Sequence, residues 1–375
     1  STGRQIAKLL PNDGAALDFF GVSVAISGAT AIVGAAGDDD NGGQSGSAYL
    51  FDTATGDQIA KLLADDGAAN NQFGWSVAIS PDGIGTTAIV GARYDEDNGT
   101  QSGSAYLFDT TTGTQIAKLL ADDGAEGDQF GFSVAVSGTT AIVGAWADDD
   151  NGFDSGSAYL FDATTGRQIA KLLPNDGAQF DRFGTSVAIS GTTAIVGAYK
   201  DGDNGNLSGS AYLFDIATGK QIAKLLPDDG AASDWFGWSV AISGNNAIVG
   251  AFRDDDNGSE SGSAYLFDTT TGRQLAKLLP NDGSFNDHFG GSVGISGATV
   301  IVGADEDDDN GSAYLFDASA CPWDLDGSGD VGVKDLLSLL GSWGPCEGCP
   351  ADFNGDGTVG VSDLLIFLAN WGPCP

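Results

Sequence analysis

Residues 130–182 read FGFSVAVSGTTAIVGAWADDDNGFDSGSAYLFDATTGRQIAKLLPNDGAQFDR, and the pattern recurs through most of the chain. The opening Phe-Gly pair is found at Phe20, Phe73, Phe130, Phe183, Phe236 and Phe289. Successive pairs lie 53 residues apart, except for one interval of 57 with four extra residues between Ser80 and Thr86. Each unit holds four β-rich runs of the types SVAIS, TAIVGA, SAYLFD and QIAKLL, separated by turn-forming residues. Four strands per unit, repeated six times, predict an all-β fold, a six-bladed β-propeller of four-stranded blades.

The two ends of the repeat region predict how the ring closes. The first unit is preceded by a fourth strand, Gly3–Leu10, and the sixth unit stops after a third strand, Ser312–Asp317. We therefore expect residues 3–10 to pair beside Ser312–Phe316 as the outer strand of the sixth blade. A β-solenoid and a linear array are alternative architectures, although a solenoid coil is usually shorter and an array needs atypical end repeats. If residues 3–10 pair instead with a neighbouring molecule, the contact is head-to-tail and produces a filament.

The Phe-Gly pair and a later Gly-Ala pair resemble FG-GAP repeats. The Gly-Ala pairs begin at Gly34, Gly91, Gly144, Gly197, Gly250 and Gly303. This resemblance covers residues 1–317 and implies the propeller found in integrin α-subunits and in many secreted bacterial proteins. Integrins have seven repeats and a calcium loop between strands one and two. Here that connection is only Ser-Gly-Thr-Thr, so the metal site of that family does not carry over.

The acidic residues are concentrated in two sets of loops. The loops between strands two and three contain Asp38 and Asp40, Asp95 and Asp97, Asp148 and Asp150, Asp201 and Asp203, Asp254 and Asp256, and Asp307 and Asp309. The loops before the next blade contain Asp13 and Asp18, Asp65 and Asp66, Asp122 and Asp123, Asp176 and Asp181, Asp228 and Asp229, and Asp282 and Asp287. Both sets emerge at one end of an up-and-down blade. Crowded oxygen ligands favour Ca²⁺, so the first set is a candidate calcium site in the propeller. The alternative is that these residues only form turns and keep the protein soluble.

Two further side-chain patterns follow the repeat. The outer strands carry Lys8, Lys61, Lys118, Lys171, Lys224 and Lys277, and a charge on an edge strand discourages pairing with another molecule. The aromatic residues Trp75, Phe132, Trp146 and Trp238 vary between repeats. We expect most of them to pack between blades and a few to line a ligand-binding face.

Composition narrows the classes of function. The chain has 375 residues and a net charge of −37, which disfavours nucleic acid and anionic membranes and favours cations or basic partners. It has no apolar run long enough to span a membrane, and the absence of methionine is typical of a processed mature chain. Its single histidine, His288, belongs to no recognisable nucleophile–base arrangement, so we expect no enzyme activity.

A second repeat, of 28 residues, follows Cys321. Each copy fits a twelve-residue calcium loop that precedes a short amphipathic helix. The expected Ca²⁺ ligands are Asp324, Asp326, Ser328, Asp330 and Asp335 in the first loop, and Asp352, Asn354, Asp356, Thr358 and Asp363 in the second. Position 12 is Asp where a signalling EF-hand has Glu.

Paired loop–helix units of this kind resemble type I dockerin domains, over residues 321–375. The resemblance implies docking on a cohesin-like partner of an extracellular scaffold or cell surface. Loop positions 10 and 11, which help to select the partner in that family, are Val333-Lys334 and Val361-Ser362, where Ser-Thr pairs are common.

The four cysteines lie in the same segment. Equal spacing favours the disulfides Cys321–Cys346 and Cys349–Cys374 among three pairings, while a zinc site is the alternative. Disulfides indicate an oxidising, extracellular location.

The sequence thus predicts a propeller over residues 1–317, a linker over 318–320 and a dockerin-like module over 321–375. The expected function is that of a secreted, calcium-binding adhesion or structural protein. We expect a cationic, glycan or protein ligand on the acidic propeller face. The alternatives are a self-assembling filament subunit and a polysaccharide-active enzyme.

Overall fold

The computed structural model describes residues 6–80, 87–307, 311–318, 323, 325, 330–346, 349–354, 357–369 and 371–373. The chain divides into two compact units. One comprises Ser1–Ser296 with Ile301–Tyr314, and the other Gly297–Val300 with Leu315–Pro375.

Six consecutive antiparallel sheets form a six-bladed β-propeller, which confirms the predicted fold class. In the first two blades the strands are β1 (Phe20–Ser27), β2 (Thr30–Ala35), β3 (Ser47–Asp52), β4 (Gln58–Leu62), β5 (Phe73–Ile79), β6 (Thr87–Ala92), β7 (Ser104–Asp109) and β8 (Thr114–Leu119). In the third and fourth they are β9 (Ser133–Ser137), β10 (Thr140–Ala145), β11 (Ser157–Asp162), β12 (Gln168–Leu172), β13 (Phe183–Ser190), β14 (Thr193–Ala198), β15 (Ser210–Asp215) and β16 (Lys220–Leu225). In the last two they are β17 (Ser239–Ser243), β18 (Asn246–Ala251), β19 (Ser263–Asp268), β20 (Gln274–Leu278), β21 (Phe289–Ser296), β22 (Thr299–Ala304) and β23 (Ser312–Asp317).

The core lies between successive blades. Ile32 and Leu50 of the first blade form one apolar cluster with Val77 and Val90 of the second. The middle strands of the first five blades are therefore covered on both faces, and their sequences TAIVGA and SAYLFD are almost continuously apolar for that reason.

The Phe-Gly and Gly-Ala pairs make these interfaces possible. Phe73 packs edge-on against Tyr106 and Phe108, with ring centroids 5.4 and 5.7 Å away. A Cβ atom on Gly34 would overlap the backbone carbonyl of Gly74 in the next blade. Glycine is needed there because the two backbones are in contact.

The sixth blade differs from the expected four-stranded sheet. Its sheet contains only β21, β22 and β23, and Ile6–Leu10 has no strand pairing in the described residues. The predicted pairing of residues 3–10 with Ser312–Phe316 is therefore wrong for residues 6–10, while residues 3–5 lie outside the described part. Leu9 packs against the apolar cluster of the first blade beside Phe20, as Leu62 of β4 packs in the cluster with Phe73 of the second blade, but β23 forms no ladder with this segment.

In its described residues, the C-terminal unit contains two short helices and two small sheets. Strand β24 (Asp330–Val331) pairs with β27 (Gly372–Pro373), and β25 (Gly344–Pro345) pairs with β26 (Thr358–Val359). The helices are α1 (Val333–Gly341) and α2 (Val361–Ala369), at the predicted positions. Their inward faces and the strands form a core that includes Val331, Leu339, Ala351, Val359 and Phe367.

The disulfide of this unit corrects the favoured cysteine pairing. Cys346 is bonded to Cys349, with their Cα atoms 5.8 Å apart, and not to Cys321. The bonded pair follows directly after β25, and its two cysteines are only three residues apart in the sequence. Cys321 and Cys374 lie outside the described residues.

Within the described ranges, neither helix is long and apolar enough to cross a membrane.

Candidate functional site

Five clusters of charged residues repeat around the propeller, and we name them lysine nodes. In each, the ammonium group of an outer-strand lysine contacts three carboxylates at 2.6–3.3 Å. The members are Lys61 with Asp13, Asp38 and Asp40; Lys118 with Asp66, Asp95 and Asp97; Lys171 with Asp123, Asp148 and Asp150; Lys224 with Asp176, Asp201 and Asp203; and Lys277 with Asp229, Asp254 and Asp256.

A buried tyrosine completes each node. The hydroxyl of Tyr159 lies 2.8 Å from Asp148 Oδ2 and 3.1 Å from Asp123 Oδ1, and the Lys171 ammonium lies 5.1 Å from the ring centroid. Burial beside these carboxylates raises the pKa of Tyr159, which keeps the phenol protonated. Burial opposes the charge on Lys171, but its hydrogen bonds to Asp123 and Asp150 outweigh burial and raise its pKa.

The nodes bring together most of the carboxylates that the sequence identified as propeller calcium ligands. They confirm that the two sets of loops lie at one end of the blades, because Asp123 and Asp148 contact the same ammonium. A lysine stands at the centre of each node, so these carboxylates already have a cationic partner. The separate roles predicted for the lysines and the aspartates did not include this contact. A signal for it is present in the sequence, namely the constant separation of 23 residues between Asp148 and Lys171 and between their counterparts.

The sixth set of node residues has no lysine within the described part of the chain. The hydroxyl of Tyr314 lies 2.7 Å from Asp307 Oδ2 and 3.0 Å from Asp282 Oδ1, as in the complete nodes. Asp309 falls outside the described residues.

A second buried carboxylate lies near several of the nodes. Asp128, Asp181 and Asp234 are at most 7% exposed, and burial raises the pKa of each to about 6. The backbone N–H of Ala125 donates to Asp128 Oδ2 at 2.7 Å. The second repeat has Asn71 at this position, and its Nδ2 donates to Asp95 Oδ2 at 2.8 Å.

Aromatic and basic side chains form a continuous row across blades two to six, and we name it the aromatic belt. It consists of Trp75, Arg93, Phe132, Trp146, Arg182, Tyr199, Trp235, Trp238, Phe252, Arg253 and His288. These residues adjoin the Phe-Gly and Gly-Ala pairs, at the same end of the blades as the nodes. They occupy positions at which the repeats differ most.

Guanidinium groups lie between the rings of the aromatic belt. The Arg93 guanidinium is 3.2 Å from the Trp75 ring centroid, and that of Arg182 is 4.3 Å from Trp146. The Arg182 Nη1 atom donates to the Tyr199 hydroxyl at 2.6 Å. The buried Nε atoms of Arg182 and Arg253 and Nε1 of Trp235 have no acceptor among the described residues. The aromatic belt thus combines flat aromatic rings with guanidinium groups, and the side chains of Arg182 and Arg253 are 25% and 35% exposed.

The aromatic belt ends at a pocket of 670 Å³ beside the last blade. Trp238, Phe252 and His288 line one side, and Gly303 and Ser312 belong to the other. His288 lies 3.4 Å from both Glu260 Oε2 and Asp305 Oδ1. In the described ranges His288 has no hydrogen bond to a serine, threonine or cysteine that would act as a nucleophile.

Two groups of described side chains have the composition and spacing to hold a metal ion: His288 with Asp305 and Glu306, and Asp176 with Asp201 and Asp203. The second group already contacts Lys224.

The last carboxylate of each predicted C-terminal calcium loop is buried. Asp335 and Asp363 are 1% and 0% exposed. Asp335 accepts the N–H groups of Leu325 and Gly332 at 2.7 and 2.8 Å, and Asp363 accepts that of Phe353 at 2.9 Å.

These hydrogen bonds join described residues at both ends of each loop to its final carboxylate, since Asp363 also accepts the N–H of Gly360 at 2.9 Å. Asp352 is also buried, and it accepts the Gly357 N–H at 2.8 Å. Asn354 and Thr358 belong to the same loop, and Asp330 begins β24. Asp324, Asp326, Ser328 and Asp356 lie outside the described residues.

Comparison with known proteins identifies the repeat. The family described as FG-GAP repeat matches residues 4–51, 57–108, 114–161, 167–214, 220–267 and 273–316. None of the curated proteins matches the chain. Among solved structures, the crystal structure of the computationally designed Ika8 protein is similar, with a TM-score of 0.50 and 17% identity over 80% of this chain and 72% of that one. At this identity the likeness supports the fold alone.

Proposed function

The chain belongs to the FG-GAP repeat family, and we propose that it is an extracellular, non-enzymatic binding protein of an adhesive or structural kind. In this proposal the aromatic belt binds a glycan. The C-terminal unit binds Ca²⁺ and anchors the propeller to a partner protein.

The observation that carries the proposal is the position of the aromatic belt. The strands TAIVGA and SAYLFD are nearly invariant along the chain, because every blade has the same core to fill. The residues of the aromatic belt, which differ from repeat to repeat, lie where the first strand of a blade begins and where its second strand ends. In a repeat scaffold, positions that depart from the common pattern on one face are candidates for ligand recognition.

The chemistry of the aromatic belt favours a glycan with carboxylate groups. Flat aromatic rings such as Trp75 and Trp238 offer apolar faces to a sugar ring. Arg93, Arg182 and Arg253 add positive charge to a chain whose net charge is −37. Guanidinium groups bind carboxylates through paired hydrogen bonds, which gives specificity as well as affinity.

Calcium binding is supported in the C-terminal loops by the donor set. Asp352 and Asp363 are buried carboxylates of one loop, and hard oxygen donors of this kind suit Ca²⁺. Asp335 plays the same part in the other loop. A bound Ca²⁺ would neutralise these carboxylates and fix the loops in front of α1 and α2.

Both helices carry an exposed apolar stripe that supports docking to a partner protein. The stripes are Val333, Leu337 and Leu340 on α1, and Val361, Leu365 and Leu368 on α2, each 45–63% exposed. Positions i, i+4 and i+7 share one face of a helix. Together with the loops they support a dockerin-like role and a cohesin-like partner. The disulfide supports an extracellular location.

Calorimetric titration of the full chain with acidic and neutral polysaccharides tests the proposal. We expect binding of the acidic ligand, a loss of about tenfold or more in Trp238→Ala, and no change in the control Trp343→Ala. Trp343 lies in the C-terminal unit and is 46% exposed. Equal affinity in the two variants would contradict glycan binding by the aromatic belt. Release of reducing ends would instead favour the polysaccharide-active enzyme.

A further inference from the structure

The first and last blades each carry half of an interface that is complete between the other neighbouring blades. Ser186 Oγ donates to the Gly237 carbonyl of the next blade at 2.8 Å, and Ser239 Oγ does the same to Gly290. The equivalent serine of the last blade, Ser292, has no such acceptor among the described residues. Gly21, which corresponds to Gly237, has no atom of another blade near it.

The exposed fractions of apolar side chains on the first and last blades also show that each carries an uncovered half of a blade interface. Val24 and Ile26 of the first blade are 67% and 68% exposed, whereas their counterparts in the second blade, Val77 and Ile79, are 7% and 9% exposed. In the last blade Ile301 is 47% exposed, whereas Ile248 at the same position of the fifth blade is 0% exposed. We name these surfaces the first-blade face and the last-blade face.

A lysine node is divided between the two faces. The last blade provides Asp282, Asp307 and Tyr314, already in node geometry but without a lysine. Lys8 occupies the lysine position of the repeat and has no carboxylate partner within the described ranges. One face therefore has the carboxylates and the other has the cation.

The first blade holds Lys8 in place as part of its own face. Leu9 packs on the apolar cluster of that blade, and Ala7 lies against Gly56. The N–H of Asn12 donates to Gln58 Oε1 at 2.9 Å, and Asp65 makes the equivalent bond to Gln115 between the next two blades. The segment 7–12 thus lies as an outer strand of a preceding blade would, and it forms part of the first-blade face.

We propose that the first-blade face binds the last-blade face of a second copy of this chain. Lys8 of the second copy enters between Asp282 and Asp307, and Val24 and Ile26 cover Ile301. The single chain leaves both faces exposed and the node divided, whereas a second copy satisfies them with contacts that the chain already makes at its internal blade interfaces. The association is head-to-tail, and it does not rest on the proposed glycan binding.

Two charge-reversal variants test this inference by complementation. Lys8→Glu removes the cation and leaves the last-blade face intact, while Asp282→Lys does the reverse. By light scattering at physiological ionic strength, we expect the wild type to exceed the 37.9 kDa of one chain as concentration rises, and each variant to remain at that mass. An equimolar mixture should associate again, because the unchanged Lys8 of one variant meets the unchanged Asp282 and Asp307 of the other.

A matched control variant accompanies the test, and two results would contradict head-to-tail association. Lys220→Glu makes the same charge change at an exposed lysine outside the nodes, and it should associate like the wild type. Circular dichroism of each variant checks its folding, and Lys8→Gln provides a milder change if Lys8→Glu is unfolded. A wild type that stays at one chain at all concentrations would overturn the inference and favour closure within one molecule. Folded variants that fail to complement each other would also overturn it.

Discussion

At the scale of single residues, the lysine node explains why so many aspartates are tolerated in each repeat. Asp148 has a side chain only 5% exposed, and an unpaired charge at that depth is costly. Lys171 neutralises the charge of Asp148. It also contacts Asp123 and Asp150, whose carboxylates are more exposed. Each node still has a surplus of negative charge. Removing its lysine would leave the carboxylates without a cationic partner, and we expect this to lower the stability of the folded protein.

The buried Asp128 predicts a pH effect. Its pKa is raised from 3.8 to about 6 in the folded protein. The folded state therefore holds the proton more tightly than the unfolded state does. The stability that this group contributes is complete below pH 3.8 and is lost as the pH rises through 6. We expect Asp128→Asn to match the wild type at acid pH and to exceed it by roughly 1–3 kcal/mol at neutral pH.

Urea unfolding of both proteins across this pH range measures the difference. Asn71 supplies the reciprocal control, since Asn71→Asp should introduce the same loss into the second blade. If the two substitutions shift stability in the same direction at neutral pH, burial of the carboxylate is not the cause.

At the scale of structural elements, close contact between β-strands of neighbouring blades determines where the repeat requires glycine. Gly144 follows Val143 in β10, and a Cβ atom there would overlap the carbonyl of Gly184. Because the obstacle is backbone, we expect Gly144→Ala to lower the free energy of unfolding by about 2–3 kcal/mol. Gly191 faces open space with φ of +57°, so Gly191→Ala should cost only about 1 kcal/mol. Thermal unfolding of the two variants tests this order, and equal losses would show that close approach is not what requires glycine at position 144.

The positions of the strands could be predicted from the sequence. The contacts between loops and strands of neighbouring blades, and the pairing of the chain's terminal segments, could not. Alternation, turn residues and a constant period place β1 to β23, since each signal is local. The positions of Lys171 and Asp123 are also visible, but their contact joins a strand and a loop residue 48 positions apart and depends on the register of two blades. The segment Ile6–Leu10 illustrates a further limit, because the pattern QIAKLL does not say whether the segment will form a ladder with a strand of the last blade. In the C-terminal segment the equal cysteine spacing favoured one pairing, whereas the structure bonds two cysteines that are only three residues apart.

At the scale of the whole molecule, calcium should act on the C-terminal unit. The loop carboxylates Asp335, Asp352 and Asp363 are buried, so a bound Ca²⁺ would neutralise charge at depth, and ligand at a hundred times its Kd adds about 2.7 kcal/mol per site. By equilibrium dialysis of the full chain, we expect two Ca²⁺ per chain and the loss of one in Asp363→Asn. The exposed Asp57→Asn serves as a control for surface charge. A count that does not change in Asp363→Asn would contradict the loop assignment, and a count above two would assign calcium to the propeller loops as well.

Each lysine node also couples a blade to the loop that enters it, since Lys171 contacts Asp148 of its own blade and Asp123 from the loop before. This makes the propeller a one-dimensional chain of nearest-neighbour couplings of the Ising type. Opening one blade in the middle breaks two such couplings, whereas opening a terminal blade breaks only one. The molecule should therefore fray inward from the first and last blades, and native-state hydrogen exchange should show its slowest amides in the third and fourth blades.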